Sequence, residues 1–141
     1  MSRSEVEEVR RVVVEAFEAG RLRDFGVLAR LHWNDAAFAK FDDSPPFRRQ
    51  GYREAVMHEE AAFAGIGDYH YELEDLEIHV FGEVALATFY VKYGGVVVDN
   101  YSFRGQTFEA ESRVSMVLVQ RGGGWLILHE HLSRIPDARS S

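Results

Sequence analysis

Cysteine is absent from the 141 residues, which removes disulfides, thiolate metal sites and thiol nucleophiles together. No apolar run approaches the roughly 20 residues of a bilayer span, and no basic segment leading into an apolar one opens the chain. A cytoplasmic protein with no membrane partner is therefore expected. An excess of basic residues is also missing: 16 Lys and Arg stand against 23 Asp and Glu, a formal charge of −7. That balance disfavours nucleic acid as the main partner, since phosphate contacts need clustered cations. Ser115 and Ser133 belong to no nucleophile elbow and to no evident Ser–His–Asp order, so hydrolase chemistry lacks support. Gly122, Gly123 and Gly124 join two strands, whereas phosphate-cradling loops lead into a helix N-terminus. No cofactor and no metal are expected.

What is present is enough apolar material for a core, with 46% hydrophobic and 13% aromatic residues. One domain over residues 1–136 is expected, with a flexible tail over 137–141. Ser4 and Glu7 fit a capping box, and Val6, Val9, Val13, Ala16 and Phe17 recur at helical spacing up to Gly20. A second short helix is expected from Leu22 to Leu31, and a short edge strand from Ala37 to Phe41, before the breaker Asp42-Asp43-Ser44-Pro45-Pro46. A third helix runs from Tyr52 to Ala64 and closes at Gly65. From Tyr69 onward the spacing changes to long strands: Tyr69–Phe81, Glu83–Val98, Gln106–Arg121 and Trp125–Arg134. Apolar residues at both parities of the last strands imply a sheet covered on both faces. Gly94-Gly95 within a strand suggests a bulge that bends the sheet. Helices first and antiparallel strands afterwards define an α+β fold, with three helices packed on the concave face of a curved antiparallel sheet.

The order of elements, with Arg113-Val114-Ser115 and Arg121-Gly122-Gly123-Gly124-Trp125-Leu126-Ile127-Leu128-His129-Glu130-His131-Leu132-Ser133, resembles the SnoaL-like branch of the nuclear-transport-factor-2-like superfamily. The resemblance runs from about Glu5 to Pro136. The last hairpin is also similar to the association domain of calcium/calmodulin-dependent protein kinases. These resemblances imply a cone with a blind pocket between helices and sheet, and a homodimer formed through the outer sheet face. The superfamily hosts isomerases, cyclases, dehydratases, transport factors and assembly domains, so the fold by itself assigns no activity. Ketosteroid isomerases of this superfamily use a carboxylate base and a Tyr/Asp oxyanion pair. The corresponding places here hold Lys40, Val13 and Met116, and that set is absent.

Glu59 is the most informative polar residue, because it falls near the centre of the apolar face made by Tyr52, Ala55, Val56, Ala62, Phe63 and Ile66. A carboxylate turned inward needs a partner or a shifted pKa, which makes it a candidate general base or acid. His129 and His131, two apart on one strand, share a face and are candidate proton partners. They form no metal site without a third ligand, for which His70, His79 and Glu130 are the speculative sources; Glu130 points to the face opposite the pair. Arg113 and Lys92, on neighbouring strands, are candidate anion stabilisers for an enolate. Tyr90, Trp33 and Tyr52 are candidate ligand contacts among aromatics numerous enough to line a pocket, Tyr69, Tyr71 and Phe89 included. Two functions fit these residues. One is a small-molecule-binding protein acting on an apolar or weakly acidic organic compound by cofactor-independent isomerase, cyclase or dehydratase chemistry; the other is a non-catalytic dimerisation module.

Overall fold

A computed structural model describes residues 2–98 and 101–136. Helix α1 (Arg3–Arg21) starts from Ser2, whose Oγ accepts from the Glu5 N–H while the Glu5 carboxylate accepts from the Ser2 N–H. The capping box therefore lies two residues before the expected Ser4, which the sequence also permits because Ser2 and Glu5 have the same spacing. Gly20 does not end the helix. It is buried against Phe63, and a Cβ there would lie 2.4 Å from the Phe63 ring, so its role is close approach. Helix α2 (Phe25–Arg30) is shorter than expected, because Asp24 caps it by accepting from the Val27 N–H at 3.3 Å. Strand β1 (Ala39–Phe41) and helix α3 (Tyr52–Ala64) follow, the helix as expected.

Strands β2 (Gly67–Phe81), β3 (Val84–Val98), β4 (Gly105–Arg121) and β5 (Gly124–Arg134) complete the chain. The sheet order is β1-β5-β4-β3-β2, with β1 parallel to β5 and the other pairs antiparallel. The α+β architecture is thus as expected, and the β4–β5 hairpin is flanked on both sides. Val9, Val13 and Ala16 of α1 cluster with Ala87, Phe89, Val91, Val114, Met116, Leu118 and Ile127 of the sheet. Fully buried side chains such as Met116, Leu118 and Ile127 contribute about 1.5–3 kcal/mol each. Among the described residues no helix is long and apolar enough to cross a membrane. The tail expected over 137–141 lies outside the described residues.

The sheet bends through bulges that the sequence places elsewhere. Strand β3 pairs with β4 in unbroken register through Gly94 and Gly95. The irregularity lies on β2, where Asp68 and Tyr69 stand opposite the single residue Gly95, and again where Asp75 and Leu76 stand opposite Phe89. In each case an Asp takes a positive φ, 50° at Asp68 and 54° at Asp75, a conformation that Asp tolerates better than most residues. Gly95 is required because a Cβ would lie 2.4 Å from Ile66 Cγ2 and 2.7 Å from the Gly67 carbonyl oxygen. Gly95→Ala should therefore cost about 1–3 kcal/mol by overpacking, and a urea melt with wild-type stability would refute this account of the bulge. A third bulge inserts Leu128 into β5, since Leu118 pairs with Ile127 but Val117 pairs with His129. This insertion decides which β5 side chains face the helices: Trp125 and Ile127 before it, Glu130 and Leu132 after it.

Candidate functional site

Helices and sheet enclose a cavity of about 240 Å³. Its wall is mainly apolar and aromatic, including Phe17, Phe63, Tyr69, Val91, Phe108 and Met116, with two polar clusters set into it. The first joins β1, β5, α3 and the end of α2. Lys40 and Glu130 are direct partners in the β1–β5 register, so both project to the same side of the sheet. The Lys40 Nζ donates to Glu59 Oε1 at 2.6 Å and lies 3.8 Å from Glu130 Oε2. His32 Nε2 is 2.5 Å from Glu130 Oε1 and 3.6 Å from Glu59 Oε1. Its other ring nitrogen, Nδ1, lies 2.7 Å from the Leu28 carbonyl oxygen, one of the carbonyls that the short α2 leaves unpaired at its end. All four side chains are buried: His32 4% exposed, Lys40 5%, Glu130 5% and Glu59 7%.

This geometry dictates the charges. A backbone carbonyl and a carboxylate both only accept, so His32 carries a proton on each nitrogen. Burial, the largest single influence, pushes the His32 pKa down, but Glu59 and Glu130 together outweigh it and raise it to about 9. Burial likewise opposes ionisation of Glu130, yet Lys40 and His32 hold its carboxyl down at about 2. Lys40 is raised above its ordinary value, because Glu59, Glu130 and Asp42 more than offset its burial. The cluster is a compensated quartet of two cations and two carboxylates. His32, Glu59 and Glu130 place ligand atoms within 4.8 Å of one another, a spacing that fits a metal ion. The cation that the chain itself supplies to this space is the Lys40 ammonium, and His32 offers no free lone pair. One atom is left over: Glu59 Oε2 is buried without a hydrogen-bond partner among the described residues.

The second cluster lies where the loop after β1 meets β3, β4 and β5. Asp43 Oδ2 accepts from the Tyr93 hydroxyl at 2.7 Å and from the Ser112 hydroxyl, and the Tyr93 oxygen accepts from Arg134 at 3.0 Å. Burial would raise the Asp43 pKa, but hydrogen bonds with Asp42, Ser112 and Tyr93 and the Arg134 charge lower it. The Tyr93 phenol is pushed up to about 12, first by burial and then by Asp43. Tyr93 is thus a neutral phenol whose hydrogen bonds are satisfied within the protein.

Of the eight residues given catalytic or ligand-binding roles from the sequence, Glu59 lines the cavity and the other seven lie outside its lining; Tyr69, expected among the pocket aromatics, also lines it. The Leu128 bulge explains the histidines. Strict alternation from Trp125 would carry His129 and His131 inward, but the extra residue turns them to the outer face. There the His129 Nδ1–H donates to the Ala39 carbonyl at 2.7 Å, and His131 is exposed beside Phe41. Lys92 has the outward parity of β3 and pairs with Glu74 at 3.1 Å. Arg113 donates to Ser133 Oγ at 2.9 Å and, with Tyr90, lines a shallow groove on the outer face. The Arg121 guanidinium covers the Trp33 ring at 4.8 Å, and the Tyr52 hydroxyl donates to the Ala29 carbonyl at 2.9 Å. The charged and hydrogen-bonding cavity residues to which the sequence assigned no acid–base or ligand-binding role include His32, Lys40, Asp42, Asp43, Tyr93, Glu130 and Arg134. Two carried a readable signal: Lys40 between Ala39 and Phe41 in a short strand, and Glu130 on the face opposite the histidine pair.

A family model described as a SnoaL-like domain matches residues 9–138. No curated protein matches the sequence. Among solved structures, an NTF2-like protein of unknown function from Pseudomonas putida KT2440 is 25% identical, with 99% of this chain and 93% of that one covered and a TM-score of 0.79. A provisionally named dehydratase of the NTF2-like family from Streptomyces avermitilis is 18% identical, with 97% and 100% covered and a TM-score of 0.83. The association domain of C. elegans CaMKII is 19% identical, with 93% and 96% covered and a TM-score of 0.69. With an NTF2-like fold shared along nearly its whole length and a family model spanning residues 9–138, the chain belongs to the SnoaL-like domain family.

Proposed function

We propose that the chain binds a compact, mostly apolar organic molecule and performs acid–base chemistry on it, with Glu59 as the group that takes and returns a proton. The observation that carries this reading is the state of Glu59. One oxygen is held by Lys40 at 2.6 Å, while Oε2 is buried and, among the described residues, unpartnered in a residue that lines the cavity. An unmet buried acceptor costs about 1–3 kcal/mol, which a donor on a ligand in the cavity would recover. Lys40 adds a fixed positive charge beside the position where an anion would form once the proton has moved. Isomerisation, cyclisation and dehydration all begin with a proton transfer of this kind. The test is a thermal-shift screen of small apolar organic compounds, followed by calorimetry of the hits with wild-type protein and Glu59→Gln. A compound bound at least tenfold more weakly by the variant is the expected result, and unchanged affinity across all hits removes the proposal.

A second reading, a dimerisation module using the outer sheet face, draws on Val84, Leu86 and Tyr90, which leave 43%, 37% and 41% of their surface exposed on one side of β3. The fold likeness to an association domain supports it. Light scattering is the discriminating measurement, and a strict monomer at micromolar concentration eliminates this reading.

A further inference from the structure

Tyr69 lines the cavity, and its hydroxyl has no hydrogen-bond partner among the described residues. Its neighbours differ in this respect: the Tyr71 hydroxyl donates to Glu18 at 2.6 Å, and the Tyr93 hydroxyl is satisfied by Asp43 and Arg134. The Tyr69 ring is nevertheless held on three sides. Phe63 meets it edge-on at 5.0 Å, Tyr71 stacks at 6.1 Å and Tyr93 lies tilted at 6.5 Å. The bulge opposite Gly95 sets this position, with Asp68 at positive φ directly before Tyr69. Bulges commonly re-aim a side chain beside a functional site. A fixed ring with an uncommitted hydroxyl in a mostly apolar cavity is a preformed hydrogen-bonding group for something that enters.

The surroundings narrow what that is. Burial, followed by Tyr93, Tyr71 and Asp43, pushes the Tyr69 pKa up, so at neutral pH the phenol remains a donor. Three cationic side chains in the lining, His32, Lys40 and Arg134, face four carboxylates, Asp42, Asp43, Glu59 and Glu130. The wall therefore has no spare positive charge for an anion, while it does hold a spare donor, the Tyr69 hydroxyl. We propose that Tyr69 is a specificity-determining residue that donates to an acceptor oxygen on a neutral, otherwise apolar ligand, a ketone or related carbonyl compound. This rests on the reading of the cavity as a small-molecule site.

The experiment compares two molecules of the same shape, α-tetralone and tetralin, the second lacking the carbonyl oxygen. Calorimetry is run on the wild-type chain and on Tyr69→Phe, which keeps the ring and its packing. The ketone should bind wild type about tenfold more tightly than the hydrocarbon, the worth of one well-placed hydrogen bond. Tyr69→Phe should erase that preference and leave tetralin affinity within about twofold, since hydrocarbon binding uses only packing. Tetralin binding also shows that the variant is folded. A ketone preference that survives Tyr69→Phe overturns the assignment of Tyr69 while leaving the cavity reading intact. Failure of both molecules to bind wild type overturns the cavity reading and this inference with it. Tighter binding of α-naphthoate than of α-tetralone refutes the neutrality of the ligand.

Discussion

Replacing Lys40 by methionine is expected to destabilise the protein by about 3–5 kcal/mol, the typical cost of removing one partner from a buried ionic group. The stem of the lysine is matched in length by methionine, so the loss is electrostatic and not a cavity effect. Without the ammonium, Glu59 and Glu130 lie buried with a single cation, His32, between them. For a chain of this size the loss corresponds to a fall in Tm of roughly 10 °C or more. The double variant Lys40→Met with Glu59→Leu should recover much of that loss, because it removes one charge of each sign and leaves His32 opposite Glu130 in a compensated pair. Strong non-additivity is the signature of groups that share a network. Chemical denaturation of the wild type, both single variants and the double variant completes the cycle. If Lys40→Met alone costs under about 1 kcal/mol, the ammonium is not the counter-charge of the two carboxylates and the quartet has been misread.

The fold was legible because its signals are local and repeated. The helical spacing of Val6, Val9, Val13 and Ala16, the stop at Gly65 and the triple glycine after Arg121 each act within a few residues. The polar cluster was legible in one residue only, Glu59, because a helical wheel is insensitive to what the rest of the chain does. The strands are different. A single inserted residue reverses which side chains face inward, and Leu128 has no turn-forming character that marks it as the insertion. Hence His129 and His131 were favoured over Glu130, their neighbour on the opposite face. Asp68 and Asp75 look equally ordinary in sequence, since nothing in β2 alone announces a positive φ. Gly95 did announce a local irregularity, but the bulge it permits is on the partner strand. His32 and Lys40 were missed for another reason. Their neighbours in the cluster come from residues 59 and 130, and only the parallel β1–β5 pairing brings Lys40 beside Glu130.

Stability should show a plateau in mildly acidic solution and fall on both sides of it. His32 binds its proton more tightly in the folded chain, with a pKa of about 9 against an ordinary 6.5. Its contribution is fully present below pH 6.5 and is lost as the pH rises towards about 9. Glu130 runs the other way: held at about 2 against an ordinary 4.5, it contributes above pH 4.5 and loses that contribution as the pH falls towards about 2. Each shift corresponds to something on the order of 3 kcal/mol. The two are not summed, because the His32–Glu130 contact appears in both. The alkaline limb is the more diagnostic, since many carboxylates contribute to the acid one. The pKa of exposed His70 is also raised, by the Asp68 carbonyl and Glu109, but its pair is open to solvent and screened, so His70→Asn should leave the limb in place. Glu130→Gln should lower overall stability and make the alkaline limb shallower, because His32 then keeps Glu59 but loses the second of the two carboxylates that raise its pKa, the one it is hydrogen-bonded to. Urea melts from pH 4 to 9, with NMR titration of the imidazole signals, read both effects. A wild-type protein equally stable at pH 6.5 and pH 9 would mean that His32 is not a buried cation, and the charge assignment of the whole cluster would fall with it.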